Sequence, residues 1–375
     1  MQLKAGIIGA AGYAGAELVR MLLGHPQITE LHLSSVSFEG EPIEHAYPNF
    51  LGNTGKINGR LKKAEAVIEA ADVVFASLPH GVGETFAKSC VEKSKPFIDL
   101  SADFRFGPDE STFAAWYGKG YQYPELRQCS VYGLPELNRD AVKRLAASGT
   151  VIIGNPGCYP TAATLGAMPA LAHGLAGDGT IIIDAASGIT GGGREPARAY
   201  HYPECADNVS PYKVGSHRHT PEISRNFAGI SAAIRPIIFT PHLVPVNRGI
   251  LATIYIPLTR PPTDTPLTAL KTVSRPPTQE TNAKAKDIHT LYTEFYKNEP
   301  FVRILPFGGV ASTNHVRQSN YCDISVHLDQ TGSTLIIASA IDNMVKGAAG
   351  QAVQNMNIIF GFEESAGLTA IPALF

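Results

Sequence analysis

Short, nearly continuous apolar runs alternate with segments of helical pattern through the first part of the chain. The runs are Leu3–Ile8, Ile28–Ser34, the beginning of 71–81, Phe97–Ser101 and Val151–Ile153. Runs of this length indicate strands buried on both faces, and helices between them, such as Ala16–Gly24, connect strands that run in the same direction. The pattern predicts a parallel sheet covered by helices.

The second part of the chain has a different pattern, in which apolar and polar residues alternate as in strands with one exposed face. These segments are Thr180–Ala185, Ile237–Leu243, Gly249–Leu258, Tyr321–Asp329 and Thr334–Ala340. They predict a mostly antiparallel sheet backed by helices. A helical segment rich in alanine and glycine, 342–356, follows, and we expect it to return to the first sheet and lie beside the ligand bound there.

A chain of 375 residues is longer than one ordinary hydrophobic core supports. We therefore expect an α/β protein of two domains: a parallel-sheet domain formed by 1–155 and 342–375, and a domain with the mostly antiparallel sheet formed by 156–341. The proline- and threonine-rich segment 259–287 is expected to be a loop that leads into part of a helix. Because an apolar exposed sheet face needs a cover, we expect a homodimer or homotetramer.

Charge and cysteine content exclude several classes of function. The formal net charge is −2 and no cluster of Lys and Arg is present, so nucleic acids and membranes are not expected partners. The five cysteines are an odd number and form no CxxC pair, which argues against a disulfide framework and against a zinc site. We expect a reducing, cytoplasmic location and no metal.

The first strand runs into a glycine-rich turn that opens a helix. The glycines have GxxGxxG spacing, a variant of the dinucleotide fingerprint. Glycines let the backbone approach a pyrophosphate, which the N–H groups at the helix start stabilise. The turn predicts a dinucleotide on a Rossmann-type sheet, and a turn without a ligand is the structural alternative. The predicted cofactor contacts here are Gly9, Ala11, Gly12, Tyr13, Ala14 and Gly15.

The end of the second strand predicts which dinucleotide binds. Chains that bind NAD carry a carboxylate there for the ribose hydroxyls, whereas this chain has Ser34 and Ser35 and no acid before Glu39. The missing acid favours NADP(H), because a carboxylate would repel the 2′-phosphate. No arginine stands in 33–39 to bind that phosphate, and the serines alternatively only close a turn.

The turn 154–161 carries the cysteine that is the strongest candidate for chemistry. It leads from an apolar strand into a helix of small residues, with Cys158 at its tip. A thiol at a helix N-terminus lies at the positive end of the helix dipole, where unpaired N–H groups stabilise its thiolate. We predict that Cys158 is a nucleophile that forms a thioester, and an inert buried thiol is the alternative.

Further candidates lie at strand ends before Cys158. Leu78, Pro79 and His80 follow the third strand, at the sheet edge where a cofactor binds, although His80 is equally well explained as a hydrogen-bonded loop residue. Arg105 follows the next strand. Its guanidinium would hold a phosphate by a bidentate contact or pair structurally with Asp103.

The segments after Cys158 supply a flexible loop and two histidines. The glycine run that follows Ser187 and Gly188, which ends at Arg194, is typical of a loop that closes over a ligand. In 217–223 two histidines and an arginine stand just before a helix whose first turn holds Pro221 and Glu222. Histidine suits an acid–base role because its pKa is near 7.

Several motifs together resemble one enzyme family. They include Gly9–Gly15, Leu78–Gly81, Asp99–Arg105, Tyr132–Leu137, Asn155–Thr161, Ser187–Arg194, His217–Ile223 and Lys346–Met356. This set spans nearly the whole chain and is similar to the N-acetyl-gamma-glutamyl-phosphate reductases, which use NADPH in arginine biosynthesis and are related to aspartate-semialdehyde dehydrogenase.

The resemblance implies a role for each candidate. Cys158 would attack the acyl phosphate and release phosphate, and the resulting thioester would be reduced to N-acetyl-glutamate 5-semialdehyde. His219 is the first choice for the acid–base group and His217 the second, with Glu222 orienting either one. The remaining roles are phosphate binding for Arg105 and Asn155, α-carboxylate binding for Arg218 or Arg248, and cofactor contact for Ser187, Gly188 and Asn343.

Other functions stay open at the level of sequence. The same mechanism would serve an amino-adipyl or an aspartyl phosphate, because the pocket that sets chain length cannot be identified from sequence. A non-catalytic NADP-sensing regulator would use the glycine turn and have no need of Cys158. A cysteine hydrolase that pairs Cys158 with His219 would leave the glycine turn without a purpose.

Overall fold

The chain forms two β-sheets flanked by helices in the computed structural model, which describes residues 1–233, 235–259 and 279–374. The strands of these residues are β1 (Leu3–Ile8), β2 (Ile28–Ser34), β3 (Val73–Ala76), β4 (Phe97–Asp99), β5 (Ser130–Tyr132), β6 (Ile152–Gly154), β7 (Ile181–Ser187), β8 (Ser210–Pro211), β9 (Ile237–Leu243), β10 (Ile250–Pro257), β11 (Val302–Ile304), β12 (Cys322–Leu328) and β13 (Thr334–Ile341).

The helices pack on these sheets. They are α1 (Tyr13–Leu23), α2 (Ile43–Ala46), α3 (Ala64–Ala70), α4 (Gly83–Glu92), α5 (Glu110–Tyr117), α6 (Pro135–Ser148, kinked at Asn138), α7 (Cys158–Ala172), α8 (Tyr202–Cys205), α9 (Thr220–Ile230), α10 (Gln279–Phe295) and α11 (Gly350–Ile359). No helix in the described part of the chain is long and apolar enough to cross a membrane.

The first sheet has the order β2-β1-β3-β4-β6-β5, and all of its ladders are parallel, as predicted. The predicted bounds of β1 and β2 are the observed ones. Gly9, the residue after β1, has a φ of +84°, and a Cβ there would collide with the Ser77 carbonyl oxygen. Glycine is therefore required where β1 passes the end of β3 and turns into α1.

The second sheet has the order β11-β12-β13-β10-β7-β9-β8. The prediction of a mostly antiparallel sheet is confirmed, but β9 joins β7, and β11 joins β12, in parallel, so the sheet is mixed. The apolar alternation cannot give strand direction, because the side chains of a strand alternate in the same way whether its neighbour is parallel or antiparallel.

The two faces of the second sheet differ. On the inner face Phe239, Ile183, Ile254 and Ile337 are cross-strand neighbours and buried, with α7 packed directly over Ile254. On the outer face, one residue earlier or later along each strand, Ile238, Ile182, Tyr255 and Ile336 form a second row. Ile238 is 53% and Ile182 38% exposed. This outer row is called the apolar row below.

The segment 342–356 returns to the first sheet as predicted, but not as one regular helix. It begins with a π-helical turn, Val345–Ala349, and continues as α11. The π turn and α11 pack on α1 and α6, which flank the first sheet. The predicted domain boundaries at 155/156 and 341/342 stay predictions. Of the predicted loop and helix at 259–287, residues 260–278 lie outside the described residues.

A buried ion pair fastens the π turn to α6. The Lys346 ammonium donates to Glu136 at 2.7 Å and to Gln354 at 2.8 Å, and the side chains of Lys346 and Glu136 are both fully buried. Two charges removed from water depend on each other, because either one alone would be left unpaired in an apolar interior.

Replacement of Lys346 by Met is expected to lower the free energy of unfolding by about 3–5 kcal/mol, since it leaves the Glu136 carboxylate buried without its partner. Denaturant titration measures this. Lys297→Ala breaks the exposed pair with Glu294 and should change stability little. Equal effects of the two substitutions would contradict the role assigned to the buried pair.

Candidate active site

Cys158 is the first residue of α7, at the end of the turn that leaves β6. The residue before it, Gly157, caps the helix through its backbone, and a Cβ on Gly157 would lie 2.6 Å from His219 Nε2 and 3.0 Å from an Arg105 guanidinium nitrogen. Both side chains therefore touch the backbone just ahead of the thiol. The absence of a side chain at Gly157 permits this close approach.

Glu222 connects the elements that meet at this turn. Its carboxylate is fully buried on the first turn of α9, where one oxygen accepts from the Gly157 N–H and the Tyr132 hydroxyl, each at 2.8 Å. The other oxygen accepts from the Arg105 guanidinium at 3.3 Å. The sequence predicted that Glu222 orients a histidine. The structure instead gives it the N-terminus of α7, which a carboxylate stabilises through the helix dipole.

The two histidines have different surroundings. His217 is enclosed by the rings of Tyr159, Tyr212 and Phe239, and its Nδ1 accepts the backbone N–H of His219 at 3.1 Å. His219 caps α9 and lies against Gly157, with its own Nδ1 buried and without a hydrogen-bond partner. The geometry therefore places His219, not His217, next to the residue that precedes Cys158.

The pKa values of these groups are set by burial. Burial raises the pKa of the Cys158 thiol to about 11, against the opposing effects of the Tyr159 N–H and the Arg105 charge. Burial, with the nearby cations, lowers the pKa of His219 well below its ordinary value and that of His217 to about 4. Burial therefore opposes the expected stabilisation of the thiolate by the helix start and favours a thiol and a neutral imidazole in the free protein.

A cleft of about 150 Å³ lies between the glycine-rich turn and the start of α7. It is lined by Ala14, Ser77, Leu78, Leu100, Arg105, Asn155, Pro156, Gly347 and Ala348. Gly347 also backs Cys158, since a Cβ on it would lie 2.7 Å from the Cys158 Cβ. The cleft thus joins the carboxyl edge of the first sheet to the cysteine.

The glycine-rich turn has the geometry of an anion site. α1 begins at Tyr13 with Gly12 as its N-cap, and neither a side-chain cap nor an acidic residue occupies the first turn. Gly15 lies so close to the Gly9 carbonyl that a side chain there would collide with it. Ser34 and Ser35 are buried at the adjacent end of β2. The Ser34 carbonyl accepts the N–H groups of Gly9 and Ala10. The N–H groups at the start of α1 are therefore available to a phosphate.

His80 lies among several positive charges. Its Nδ1 accepts the Ala102 N–H at 2.9 Å, and burial together with four nearby cations lowers its pKa to about 3. These cations, called the cationic cluster below, are Arg105, Arg218, Lys119 and Lys213. Arg218 has its guanidinium over the Tyr117 ring and takes part in none of the ion pairs found among the described residues. The cluster suits a substrate with negative charges.

Arg248 and Asn343 lie in a different setting from the one predicted. Arg248 is paired with Glu17 of α1 at 2.6 Å and with Asp342 at 3.3 Å, and it lines a separate cavity of about 730 Å³. Asn343 accepts the Gly249 N–H and donates to Thr190, which braces the glycine loop after β7. The described contacts of both residues are to protein groups outside the cleft.

Asn155 and the start of the glycine loop also contact mainly protein groups. The Asn155 amide donates to the Ala348 carbonyl at 3.0 Å, so this side chain holds the π turn against the cleft. The Ser187 hydroxyl donates to the Gly188 carbonyl, and a Cβ on Gly188 would lie 2.7 Å from the Asn247 carbonyl oxygen. These contacts fix the path of the loop that begins at Ser187.

Sequence reasoning missed three kinds of contributor. Tyr132 was noticed only within a motif, although its hydroxyl binds Glu222. Lys119 and Lys213 were not selected, although the glycines on both sides of Lys119 mark a tight turn beside a strand end. Gly347 lies in the alanine- and glycine-rich segment, and nothing in the sequence shows that it faces Cys158. The described ranges contain no group of three or more His, Cys, Asp or Glu side chains arranged to hold a metal.

Solved structures of the same architecture include aspartate semialdehyde dehydrogenases. Aspartate semialdehyde dehydrogenase II from Vibrio cholerae aligns with a TM-score of 0.69 over 96% of this chain and 99% of that chain, at 16% identity. Aspartate semialdehyde dehydrogenase with NADP from Candida albicans aligns with a TM-score of 0.67 over the same shares, also at 16% identity. At this identity the likeness establishes the fold.

Family models and curated relatives define the family. The model described as the NAD binding domain of semialdehyde dehydrogenase matches residues 4–145, and the model of its dimerisation domain matches 158–275 and 269–343. N-acetyl-gamma-glutamyl-phosphate reductase of Clostridium beijerinckii is 47% identical over 99% of both chains, and that of Brachyspira hyodysenteriae 44% over 100% of both. The chain therefore belongs to the N-acetyl-gamma-glutamyl-phosphate reductase family, a family of oxidoreductases with a nicotinamide-cofactor-binding domain and a dimerisation domain.

Proposed function

We propose that this chain reduces N-acetyl-L-glutamyl 5-phosphate with NADPH to N-acetyl-L-glutamate 5-semialdehyde and phosphate, a step of arginine biosynthesis. The observation that carries the proposal is the position of Cys158. It lies at the start of α7, against Gly347, which lines a cleft that reaches the glycine-rich turn. A covalent thioester is the chemistry that this arrangement serves, because a thiolate displaces phosphate readily and the thioester is easily reduced.

The resting state supports His219 as the general base. The neutral His219 imidazole, which lies against the residue before Cys158, would take the thiol proton as sulfur attacks the acyl carbon, the C–O bond to phosphate breaks, and phosphate leaves. His217 is enclosed by aromatic rings and accepts the backbone N–H of His219, which helps to hold His219 in position. When the reduced carbon later leaves sulfur as the aldehyde, the proton returns from His219 to Cys158.

The glycine-rich turn fits a dinucleotide. A Cβ at Gly9 or Gly15 would collide with the neighbouring backbone, so glycine is required for this tight turn, and the start of α1 leaves its N–H groups free for a pyrophosphate. Ala14 and Leu78 line the cleft and are proposed to position the nicotinamide. The chemistry supplied by a bound nicotinamide is hydride donation to the thioester carbonyl. The preference for NADP(H) is supported by the missing acid after β2, and the related Candida albicans protein is described with NADP.

The cationic cluster supports a doubly anionic substrate. Arg218 has an exposed face and no carboxylate partner among the described residues, so we assign it to the α-carboxylate. Arg105 donates to the Asn155 and Leu100 carbonyls and to Glu222, which fixes its guanidinium at the edge of the cleft, where the leaving phosphate would lie. Lys119 and Lys213 add charge for the same two anions.

The apolar row supports a homodimer through the second sheet. A row of isoleucine and tyrosine side chains across four strands is stable in water only when another surface covers it. The family model that matches this part of the chain is a dimerisation domain.

All five cysteines are free, which supports a reducing, cytoplasmic location.

The substrate is tested with three semialdehydes in the reverse reaction, in which phosphate and NADP are supplied and the reduced cofactor is followed by its absorbance. N-acetyl-glutamate 5-semialdehyde is expected to have a kcat/KM at least about 100-fold above aspartate semialdehyde and amino-adipate semialdehyde, since a wrong chain length misplaces the carbonyl. A higher kcat/KM for either competitor would contradict the proposed substrate.

Alkylation of Cys158 by iodoacetamide is expected to accelerate throughout the range from pH 7 to pH 10. The thiolate is the reacting form, and burial places the pKa of the thiol near 11, so its fraction keeps rising over this range. Loss of activity with time measures the rate, and Cys158→Ser followed by mass analysis identifies the site. A rate that reaches its plateau near pH 7 would show a thiolate already present in the free enzyme.

The double variant Ile182→Glu, Ile238→Glu is expected to become monomeric, because it places two charges at the two most exposed positions named in the apolar row. Light scattering after gel filtration gives the mass, and circular dichroism checks the fold. The control Ile371→Glu changes an exposed isoleucine outside the sheet. A double variant that keeps the mass of the wild-type assembly would contradict this interface.

A further inference from the structure

The end of β2 has no cation of its own, yet a cation from another part of the chain lies beside it. Arg194, at the end of the glycine loop after β7, reaches the glycine-rich turn and donates to the Ala11 carbonyl at 2.9 Å. Its guanidinium lies 4.7 Å from the centre of the Tyr47 ring and 5.4 Å from that of Phe38. Phe38 stands three residues after Ser35.

The contacts of Arg194 position its charge without neutralising it. Besides Ala11, the guanidinium donates weakly, at 3.4 Å, to the Ala46 carbonyl and interacts with Tyr47, whose hydroxyl shares the Ala11 carbonyl at 3.0 Å. None of the ion pairs among the described residues includes Arg194. A guanidinium has five N–H donors, so donors remain for a ligand.

The place of this charge corresponds to one part of the cofactor. In a sheet of this type the ribose of the adenosine half lies at the carboxyl end of β2. Here that end is tied to the glycine-rich turn, since the Gly9 and Ala10 N–H groups donate to the Ser34 carbonyl. Arg194 binds the next residue of the turn, Ala11.

We propose that Arg194 binds the 2′-phosphate of NADP(H) and so determines the cofactor preference. The inference rests on the preference for NADP(H) in the proposed function and assigns a residue to it. The planar guanidinium suits a bidentate contact with a phosphate dianion, and the rings of Phe38 and Tyr47 hold the guanidinium in place while the serines at the strand end add hydroxyl donors.

The assignment also links cofactor binding to the position of the glycine loop. The loop is held on the side of the second sheet by the Thr190 N–H, which donates to the Asn247 carbonyl at 3.1 Å, and by Asn343, which donates to the Thr190 hydroxyl. At its other end the loop is held on the first sheet by the contact of Arg194 with the Ala11 carbonyl. A 2′-phosphate bound by Arg194 would therefore contact a loop that is held at both ends.

Calorimetric titration of the full chain with adenosine 2′,5′-bisphosphate (2′,5′-ADP) and with 5′-AMP, which differ only by the 2′-phosphate, tests the proposal without turnover. The wild type is expected to bind 2′,5′-ADP at least about tenfold more tightly, since one charge-assisted contact contributes that much. Arg194→Gln should raise the Kd of 2′,5′-ADP about tenfold and change that of 5′-AMP less than about twofold. Arg198→Gln, which removes an exposed arginine paired with Glu204, is the matched control and should change neither.

Each other result has a definite meaning. An Arg194→Gln variant that binds 2′,5′-ADP as the wild type does, or that loses affinity for both nucleotides equally, overturns the assignment and leaves the NADP(H) preference standing. A wild type that binds the two nucleotides equally contradicts the preference itself. Retained binding of 5′-AMP by the variant shows that its first domain is folded.

Discussion

The buried carboxylate of Glu222 is the contact on which the site depends. It accepts the Gly157 N–H ahead of the cysteine, the Tyr132 hydroxyl and the Arg105 guanidinium, so one side chain of α9 fixes the start of α7, the edge strand of the first sheet and the arginine beside the cleft. An unpaired carboxylate would be costly at this depth, and each partner is therefore required where it is. Cys158 takes its position from this contact.

The same burial determines how the thiol is used. Burial raises the pKa of Cys158 to about 11 and lowers that of His219, which favours a neutral thiol and a neutral imidazole before substrate binds. The proposed reaction then needs a base for the thiol and positive charge for an anionic substrate, and His219 and the cationic cluster are the groups proposed for these two roles. A protonated thiol is also less readily oxidised than a thiolate.

Much of this could be predicted from the sequence, for reasons that particular elements show. β1 and β2 were predicted with their observed bounds because buried strands in parallel sheets are continuous apolar runs. The cysteine at the start of α7 followed from a local turn. The partners of Glu222 and the carboxylates that bind Arg248 could not be predicted, because these contacts join residues 65 to 231 positions apart and depend on packing. The π turn at 345–349 likewise has no signal in its alanines and glycines.

The most direct test of the central claim is to mix the enzyme with N-acetyl-glutamyl 5-phosphate in the absence of NADPH. If Cys158 carries the acyl group, one phosphate per active site is released in a rapid burst, and intact-protein mass analysis finds one added acyl group that peptide mapping places on Cys158. The Cys158→Ala variant should show neither. Phosphate release that requires NADPH, with no change in the mass of the protein, would contradict the covalent mechanism.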